Sequence, residues 1–204
     1  MNRVPIAPLK IIACLACLAP FVWLLLRAFA IGPLDLGANP VEEVLHTLGK
    51  SGLNILLITL TITPLRRLTG LHWLIALRRM LGLFSFAYLS LHFLTYITLD
   101  WGFAWNSLIV DIIARPYITV GFTGLVLMLP LAVTSTNRMQ RRLGQKWVKL
   151  HRLIYVIAPL GVLHFYWQGI RDPFEPLVYV GIVTLLLGLR ILYWIGKRRM
   201  TGKS

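Results

Sequence analysis

The chain has 204 residues, of which 57% are hydrophobic and only 14% are charged, and its mean hydropathy is +0.74. Soluble domains carry about a quarter charged residues, so this composition excludes an ordinary soluble fold and indicates an integral membrane protein. The formal net charge of +14 does not indicate nucleic-acid binding, because the basic residues form short clusters between long apolar runs and no single basic face.

Six apolar stretches have about the length of roughly 20 residues that a helix needs to cross a bilayer. They cover residues 9–29, 44–63, 80–99, 117–134, 150–167 and 176–194. Each is apolar around most of its circumference, and no other stretch is polar enough to form a separate soluble domain. We therefore predict an all-α, polytopic membrane helix bundle of six transmembrane helices, with residues 1–204 forming a single domain.

The first apolar run follows Arg3 and Lys10 and therefore looks like a secretory signal. Its length and its lack of a small-residue cleavage site favour a retained helix. Cys14 and Cys17 lie in this run at a C-x-x-C spacing. Redox or metal chemistry at this spacing would need polar surroundings and further ligands, so we interpret both cysteines as small apolar side chains.

Basic and acidic connections alternate along the chain. Lysine and arginine cluster before the first run, between the second and third, between the fourth and fifth, and after the sixth, whereas all seven acidic residues lie in or beside the other connections. Connections rich in lysine and arginine stay in the cytoplasm, so we predict that both termini and the basic loops are cytoplasmic. Thr63-Pro64 and residues 134–137 are predicted to end the second and fourth runs by helix-stopping or capping chemistry.

The histidines fall into two groups. His46 and His72 lie near polar residues and are predicted to be solvated or interfacial. His92 lies about a dozen residues into the third run, and His164 lies roughly 20 Å along the fifth helix from His151. Both runs lead outward from the cytoplasm. His92 and His164 are therefore predicted at one depth in the outer half of the bilayer, with His151 near the cytoplasmic boundary.

Two intramembrane histidines on different helices at one depth match the bis-imidazole ligation of a haem. The alternative is that each histidine only hydrogen-bonds to another helix, but the spans offer no acidic partner. A zinc site would need three or four close ligands. The pattern therefore favours haem. On an ideal helix His151 and His164 point about 140° apart, and Pro159 between them can kink or rewind that helix.

Two groups of segments carry a resemblance to a known family. Residues 78–82 (RRMLG) lead to residues 91–93 (LHF), and residues 131–135 (LAVTS) lead through 141–144 (RRLG), Trp147 and 150–155 (LHRLIY) to His164. These segments resemble the MsrQ (YedZ) family, the haem-binding membrane subunits of bacterial methionine sulfoxide reductase systems, within the ferric-reductase-like transmembrane group. The resemblance covers essentially the whole chain.

The resemblance implies a set of ligands. In that group, two histidines on the third core helix and two on the fifth hold two stacked b-type haems. It implies that His92 and His164 are the axial ligands of one haem b. His151 is then a candidate ligand of a second haem, for which the third span supplies arginine and no second histidine. The alternatives are that His72 reaches back to supply the missing ligand, or that His151 serves a quinone or a flavin. The resemblance also implies FMN, although no residue indicates a flavin site.

Arginines near the ends of the spans are candidates for contacts with acidic groups of a cofactor. Arg78, Arg79 and Arg152 lie near the cytoplasmic boundary, where they can neutralise haem propionates or a flavin phosphate, and Arg115 and Arg171 can do so on the outer side. Anchoring to anionic lipid headgroups is the alternative for each.

The resemblance implies that the chain carries electrons from the respiratory quinone pool across the bacterial inner membrane to MsrP. MsrP is the periplasmic molybdopterin subunit that reduces methionine sulfoxide in oxidised proteins, so catalysis belongs to that partner. The sequence has no G-x-G-x-x-G motif, so a separate donor must supply the electrons. The alternatives are a stand-alone ferric or oxygen-reducing membrane reductase and a haem-free protein such as a transporter, although the sequence has no pair of broken helices typical of transporters.

Overall fold

The computed structural model describes residues 5–29, 36–169 and 172–201, with side chains described as far as residue 196. None of these residues forms a strand, so the prediction of an all-α fold is confirmed. In chain order the helices are α1 (Ile6–Ala28), α2 (Pro40–Thr69), α3 (Arg78–Thr95), α4 (Trp105–Ala114), α5 (Pro116–Val133), α6 (Asn137–Leu143), α7 (Gln145–Leu150), α8 (Ile154–Gln168) and α9 (Phe174–Thr201).

Six helical segments are long and apolar enough to cross a membrane, and each overlaps one predicted run. They are α1, α2, α3 with the π-helical turn Tyr96–Asp100 that extends it, α5, the continuous segment Gln145–Gln168, and α9 as far as Gly196. The protein is therefore a multi-pass membrane protein, as the composition predicts. Residues 134–137 end α5 as expected, and the Thr136 side chain caps α6 by accepting a hydrogen bond from the Met139 N–H at 3.2 Å.

The prediction that Thr63-Pro64 ends the second span is wrong. Helix α2 continues through Pro64 to Thr69 and ends at Gly70, whose φ of +72° lies in the left-handed region and whose N–H donates to the Arg66 carbonyl. A proline inside a helix removes only one backbone hydrogen bond, and the packing of neighbouring helices in a membrane protein tolerates that loss. The helix therefore ends at the glycine.

Helix α4 is a short apolar helix within the stretch between the third and fourth predicted spans. At ten residues it is too short to span a bilayer. Its buried side carries Leu108 and Asp111, and the Asp111 carboxylate accepts a hydrogen bond from the Tyr96 hydroxyl at 2.5 Å and pairs with Arg115 at 2.7 Å. These contacts hold α4 against the end of α3.

The core of the bundle is centred on α2, which contacts α1, α3, α8 and α9. Just over half of its most apolar stretch is buried, against less than a fifth for every other spanning helix. On one side Leu56 packs with Ile157, and on the other Ile55 belongs to a cluster with Leu24 and Tyr88. The remaining helices expose many leucine, isoleucine and valine side chains on their outer faces, as helices in contact with lipid do.

The fifth span is not one uniform helix. Its first part, α7, ends at Leu150, the turn His151–Leu153 is 3₁₀-helical, and α8 begins at Ile154 with Pro159 inside it. A tighter turn changes the direction in which successive side chains project. The two histidines of this span, His151 and His164, consequently line different cavities at opposite ends of the bundle core.

Candidate functional site

His92 on α3 and His164 on α8 face each other across a cavity within the bundle. Their ring centroids are 6.2 Å apart, and the ring planes are inclined at 78° to each other. The structure therefore brings together the two histidines that the sequence placed at one depth. The cavity between the helices is mostly apolar, and its wall includes Leu53, Leu89, Phe93, Leu125, Met128 and Phe165.

Both rings are held in the same way, by a hydrogen bond from Nδ1 to a backbone carbonyl of another helix. Nδ1 of His92 is 2.9 Å from the carbonyl oxygen of Leu45 on α2, and Nδ1 of His164 is 2.7 Å from that of Tyr117 on α5. A carbonyl oxygen only accepts, so Nδ1 carries the proton in each neutral ring and Nε2 keeps its lone pair. Imidazoles that bind metals commonly have this arrangement.

Polar and charged side chains, among them the carboxylate of Asp100, also line the same cavity. His46, Lys50, Arg115 and Gln168 all belong to its lining. The Gln168 side-chain amide donates to Nε2 of His46 at 3.0 Å, while Lys50 pairs with Glu175 at 2.7 Å. His46 is about half exposed, which agrees with its predicted interfacial position. The sequence reading assigned no site role to Lys50 or Gln168, although a lysine ten residues into α2 is an unusual feature of a span.

Arg115 supplies the cation at this end that the sequence predicted. It pairs with Asp111 and donates a hydrogen bond to the Tyr117 hydroxyl at 3.2 Å. The hydrogen bond to Tyr117 and the charge of Asp111 both raise the pKa of the Arg115 guanidinium, so it stays charged. Arg171, the second predicted cation, lies outside the described residues.

His151 lines a second and larger cavity of about 1100 Å³. Its Nδ1 donates to the Trp147 carbonyl at 3.1 Å, and its ring stacks on the Trp147 indole with the centroids 3.8 Å apart. Its Nε2 is buried and has no hydrogen-bond partner among the described residues. His151 therefore presents a free nitrogen lone pair, as His92 and His164 do, but to a separate space.

The second cavity is strongly basic. The three arginines predicted near the cytoplasmic boundary, Arg78, Arg79 and Arg152, all line it, and Arg67 and Arg190 add two more guanidinium groups. No acidic side chain is among its lining residues in the described part of the chain. The Nε of Arg78 is buried without a hydrogen-bond partner among the described residues. Such a concentration of positive charge suits a ligand that carries negative charge.

Three other arginines of this cavity have partners, and one of them is Arg67, which lies over the Tyr193 ring at 3.5 Å. The Arg79 guanidinium donates to the side chain of Asn137, and Arg190 lies over the Tyr155 ring at 4.4 Å. The sequence reading did not select Arg190. Its signal was a single cation inside the otherwise apolar sixth span, which is a reason to suspect function in a membrane helix.

An apolar partition separates the two cavities, since Leu56 and Met128 belong to the wall of both. His72 contributes to neither cavity and lies exposed in the 3₁₀ turn His72–Ala76, as the sequence predicted for a solvated histidine. His72 is therefore not placed to act as a second ligand beside His151. Among the described residues no cluster of three or more His, Cys, Asp or Glu side chains is arranged to hold a metal ion.

The geometry defines a class of protein: a bundle of six spans with two histidines from different helices facing each other in its interior. A family model described as the ferric-reductase-like transmembrane component matches residues 48–162. That range contains His92 and His151 and ends two residues before His164. The protein is therefore a ferric-reductase-like transmembrane protein.

Curated relatives define the family more closely. A protein of Ralstonia nicotianae is 50% identical, with 87% of each chain covered. One of Xanthomonas campestris pv. campestris is 48% identical over 94% of this chain and 88% of its own, and one of Caulobacter vibrioides is 44% identical over 93% and 89%. All three are named protein-methionine-sulfoxide reductase heme-binding subunit MsrQ. The chain belongs to the MsrQ family.

Proposed function

We propose that the chain is the membrane subunit of a methionine sulfoxide reductase system and carries electrons through haem b to a separate catalytic subunit. The observation that carries this proposal is the pair His92 and His164, two imidazoles that face each other with Nδ1 engaged and Nε2 free. The names of the relatives, which specify a heme-binding subunit of such a reductase, support it.

The donor chemistry and the spacing fit a haem with two axial histidines. Two imidazoles that would share one metal, each through a ring nitrogen at about 2 Å, would need ring centres about 6 Å apart. The observed separation is 6.2 Å. The space itself is about 200 Å³, below the roughly 300–1,000 Å³ usual for cofactor pockets, so apolar side chains in its wall must move aside on loading.

The chain's own residues have clear roles in this proposal. When bound, haem supplies a one-electron carrier. Leu45 and Tyr117 hold the two imidazoles in the tautomer that leaves Nε2 available, and the apolar wall keeps water from the site. Lys50 and Arg115 line the cavity and would be the cations nearest to acidic groups of the cofactor, although each already pairs with a carboxylate of the protein.

We further propose that the cavity of His151 is where electrons enter. Its five arginines favour a negatively charged occupant, such as the propionates of a second haem b or the phosphate of FMN, with a quinol as the donor. The shared wall of Leu56 and Met128 leaves only a thin apolar partition between this space and the histidine pair. FMN itself enters the proposal from the family resemblance alone.

The proposed setting is the bacterial inner membrane, with both termini and the arginine-rich cavity on the cytoplasmic side. His92 and His164 then lie near the periplasmic face, where the proposed partner MsrP, a molybdopterin protein, docks as the other half of a heterodimer and reduces the sulfoxide. The respiratory quinone pool is the proposed source of electrons, and residues 1–204 are proposed to act as one domain.

The test is a reduced-minus-oxidised visible spectrum of the purified, full-length protein after expression with ample haem. The wild type is expected to show a low-spin b-type signal that is lost or strongly reduced in His92→Ala and in His164→Ala. His72→Ala is the matched control, because that histidine is exposed and lines neither cavity. A colourless wild type, or equal signals in all variants, contradicts the proposal.

A second measurement tests the direction of transfer. His151→Ala is expected to slow the reduction of the remaining haem by quinol more than it lowers the haem content, because His151 lines the other cavity. Stopped-flow reduction with a soluble quinol measures this directly, and unchanged kinetics contradict electron entry at His151. Turnover of ferric iron or oxygen without a partner protein would favour the stand-alone reductase instead.

A further inference from the structure

For each of the two facing histidines, a glycine lies four residues after the carbonyl that accepts the hydrogen bond of the ring. His92 donates to the carbonyl of Leu45, and the residue four positions later on that helix is Gly49. His164 donates to the carbonyl of Tyr117, and the residue four positions later on that helix is Gly121. The same arrangement thus occurs twice, on α2 and on α5, which are separate helices.

Each glycine touches the imidazole ring that its helix holds. A Cβ atom at Gly121 would lie 2.7 Å from Nδ1 and 2.9 Å from Cγ of His164, a separation that carbon side chains do not adopt. A Cβ atom at Gly49 would lie 3.0 Å from Nδ1 and 3.2 Å from Cε1 of His92, which is tighter than nearly all real contacts. Only glycine leaves the ring its observed place at position 121.

Helix geometry explains the spacing of four. In an α-helix the Cα–Cβ bond tilts toward the N-terminus, so the side chain of residue i+4 lies over residue i on the same face. A side chain at position 49 or 121 therefore covers the approach to the carbonyl at position 45 or 117. With glycine there, a ring from a neighbouring helix can lie flat on the backbone and reach that carbonyl.

We propose that Gly49 and Gly121 are positioning residues for the two histidines. Through the missing side chain each lets one imidazole donate Nδ1–H to a backbone carbonyl, which selects the tautomer that leaves Nε2 with a lone pair. The expected effect on haem binding rests on the proposed function, whereas the contact of each glycine with its histidine concerns the protein alone. Replacing Gly121 is expected to displace His164 more than replacing Gly49 displaces His92, because a Cβ atom at Gly121 would lie closer to the ring.

Two other glycines separate this role from ordinary helix packing. Gly52, one turn after Gly49 on α2, lies against Leu89 and Tyr88 of α3, with a Cβ distance of 2.8 Å to Leu89. Gly181 on α9 has open space around its Cβ position. Gly52→Ala thus measures the effect of crowding between helices. Gly181→Ala measures the effect of replacing a helical glycine by alanine where no clash occurs. Alanine is the better helix former, so damage by Gly121→Ala cannot arise from helix propensity.

The first readout uses the full-length chain titrated with haem in detergent. Loss of the hydrogen bonds that hold metal-ligating side chains typically weakens binding of a metal by about 10–100-fold. Gly121→Ala is expected to lower haem affinity within this range and to convert part of the low-spin electron paramagnetic resonance signal to high spin, with a smaller effect for Gly49→Ala. Gly52→Ala is expected to lower thermal stability while the low-spin signal keeps its g-values, and Gly181→Ala to match the wild type.

The second readout needs no haem. In ¹⁵N-histidine magnetic resonance spectra of the haem-free protein, the His164 signal, assigned by its absence in His164→Ala, is expected to show protonated Nδ1 and to lose this form in Gly121→Ala. A wild type that binds no haem contradicts the proposed function, and this spectrum still decides the positioning role. An unchanged His164 tautomer together with unchanged haem affinity in Gly121→Ala overturns the inference.

Discussion

Tyr88 joins the first span to the third, and removing its hydroxyl gives a sharp test of that contact. The buried hydroxyl donates to the Cys17 carbonyl at 2.6 Å and accepts from the Phe21 N–H at 3.1 Å. In an uninterrupted helix these two backbone groups pair directly with each other. The side chain of Tyr88 is therefore inserted into the hydrogen-bond ladder of α1, next to Pro20, which already lacks an N–H.

Tyr88→Phe leaves two backbone groups without this partner. Each buried unsatisfied group costs about 1–3 kcal/mol, and partial closure of the ladder recovers some of it, so we expect a net loss of about 2 kcal/mol in unfolding free energy. For a chain of this size 1 kcal/mol moves the unfolding midpoint by about 2–4 °C, which predicts an apparent Tm lower by about 4–8 °C. Haem content should not change, because His92, one turn later, is held by α2 and not by α1.

The assay is thermal unfolding of the purified protein in detergent, followed by intrinsic fluorescence. Tyr193→Phe is the matched control, because that tyrosine is about half exposed and its hydroxyl makes no hydrogen bond with the described residues. Equal midpoints for the two variants would refute the reasoning. A loss of haem in Tyr88→Phe would show that α1 does more than support α3.

Three further changes have definite expectations. Asp111→Asn weakens the contacts to Tyr96 and Arg115 and should lower the local stability of α4 by about 1–3 kcal/mol. The expected result is faster amide hydrogen exchange across α4, and unchanged exchange speaks against this role. Arg78→Leu removes a guanidinium whose buried Nε has no partner among the described residues, so the cofactor-free protein should become more stable by about 1 kcal/mol; a lower Tm would show that the group is satisfied. Pro64→Ala restores one N–H inside a continuous helix and should also raise the Tm. The expected rise is about 2–4 °C for each kcal/mol gained in unfolding free energy. A lower Tm would mean that the packing of α2 requires the proline.

Much of this fold follows from local properties of the sequence. The six spans could be predicted because length and hydropathy depend only on neighbouring residues. The depth match of His92 and His164 follows from a constant rise per residue and the alternation of spans, and the structure places the two ring centroids 6.2 Å apart. The end of α2 was missed at Pro64, because proline is a strong stop signal in water but a tolerated residue between packed helices.

A six-span membrane bundle with histidines inside it can be predicted from local patterns alone, because hydrophobicity and helical rise require no knowledge of packed neighbours. The direction in which each side chain points depends instead on how the helices pack. The fifth span is apolar on all sides and so has no preferred face that a pattern can reveal. The carbonyls of Leu45 and Tyr117, the glycines beside the rings, and the arginine that α9 adds to the second cavity all act across helices. Their roles depend on how distant segments cross and pack, which no local pattern encodes.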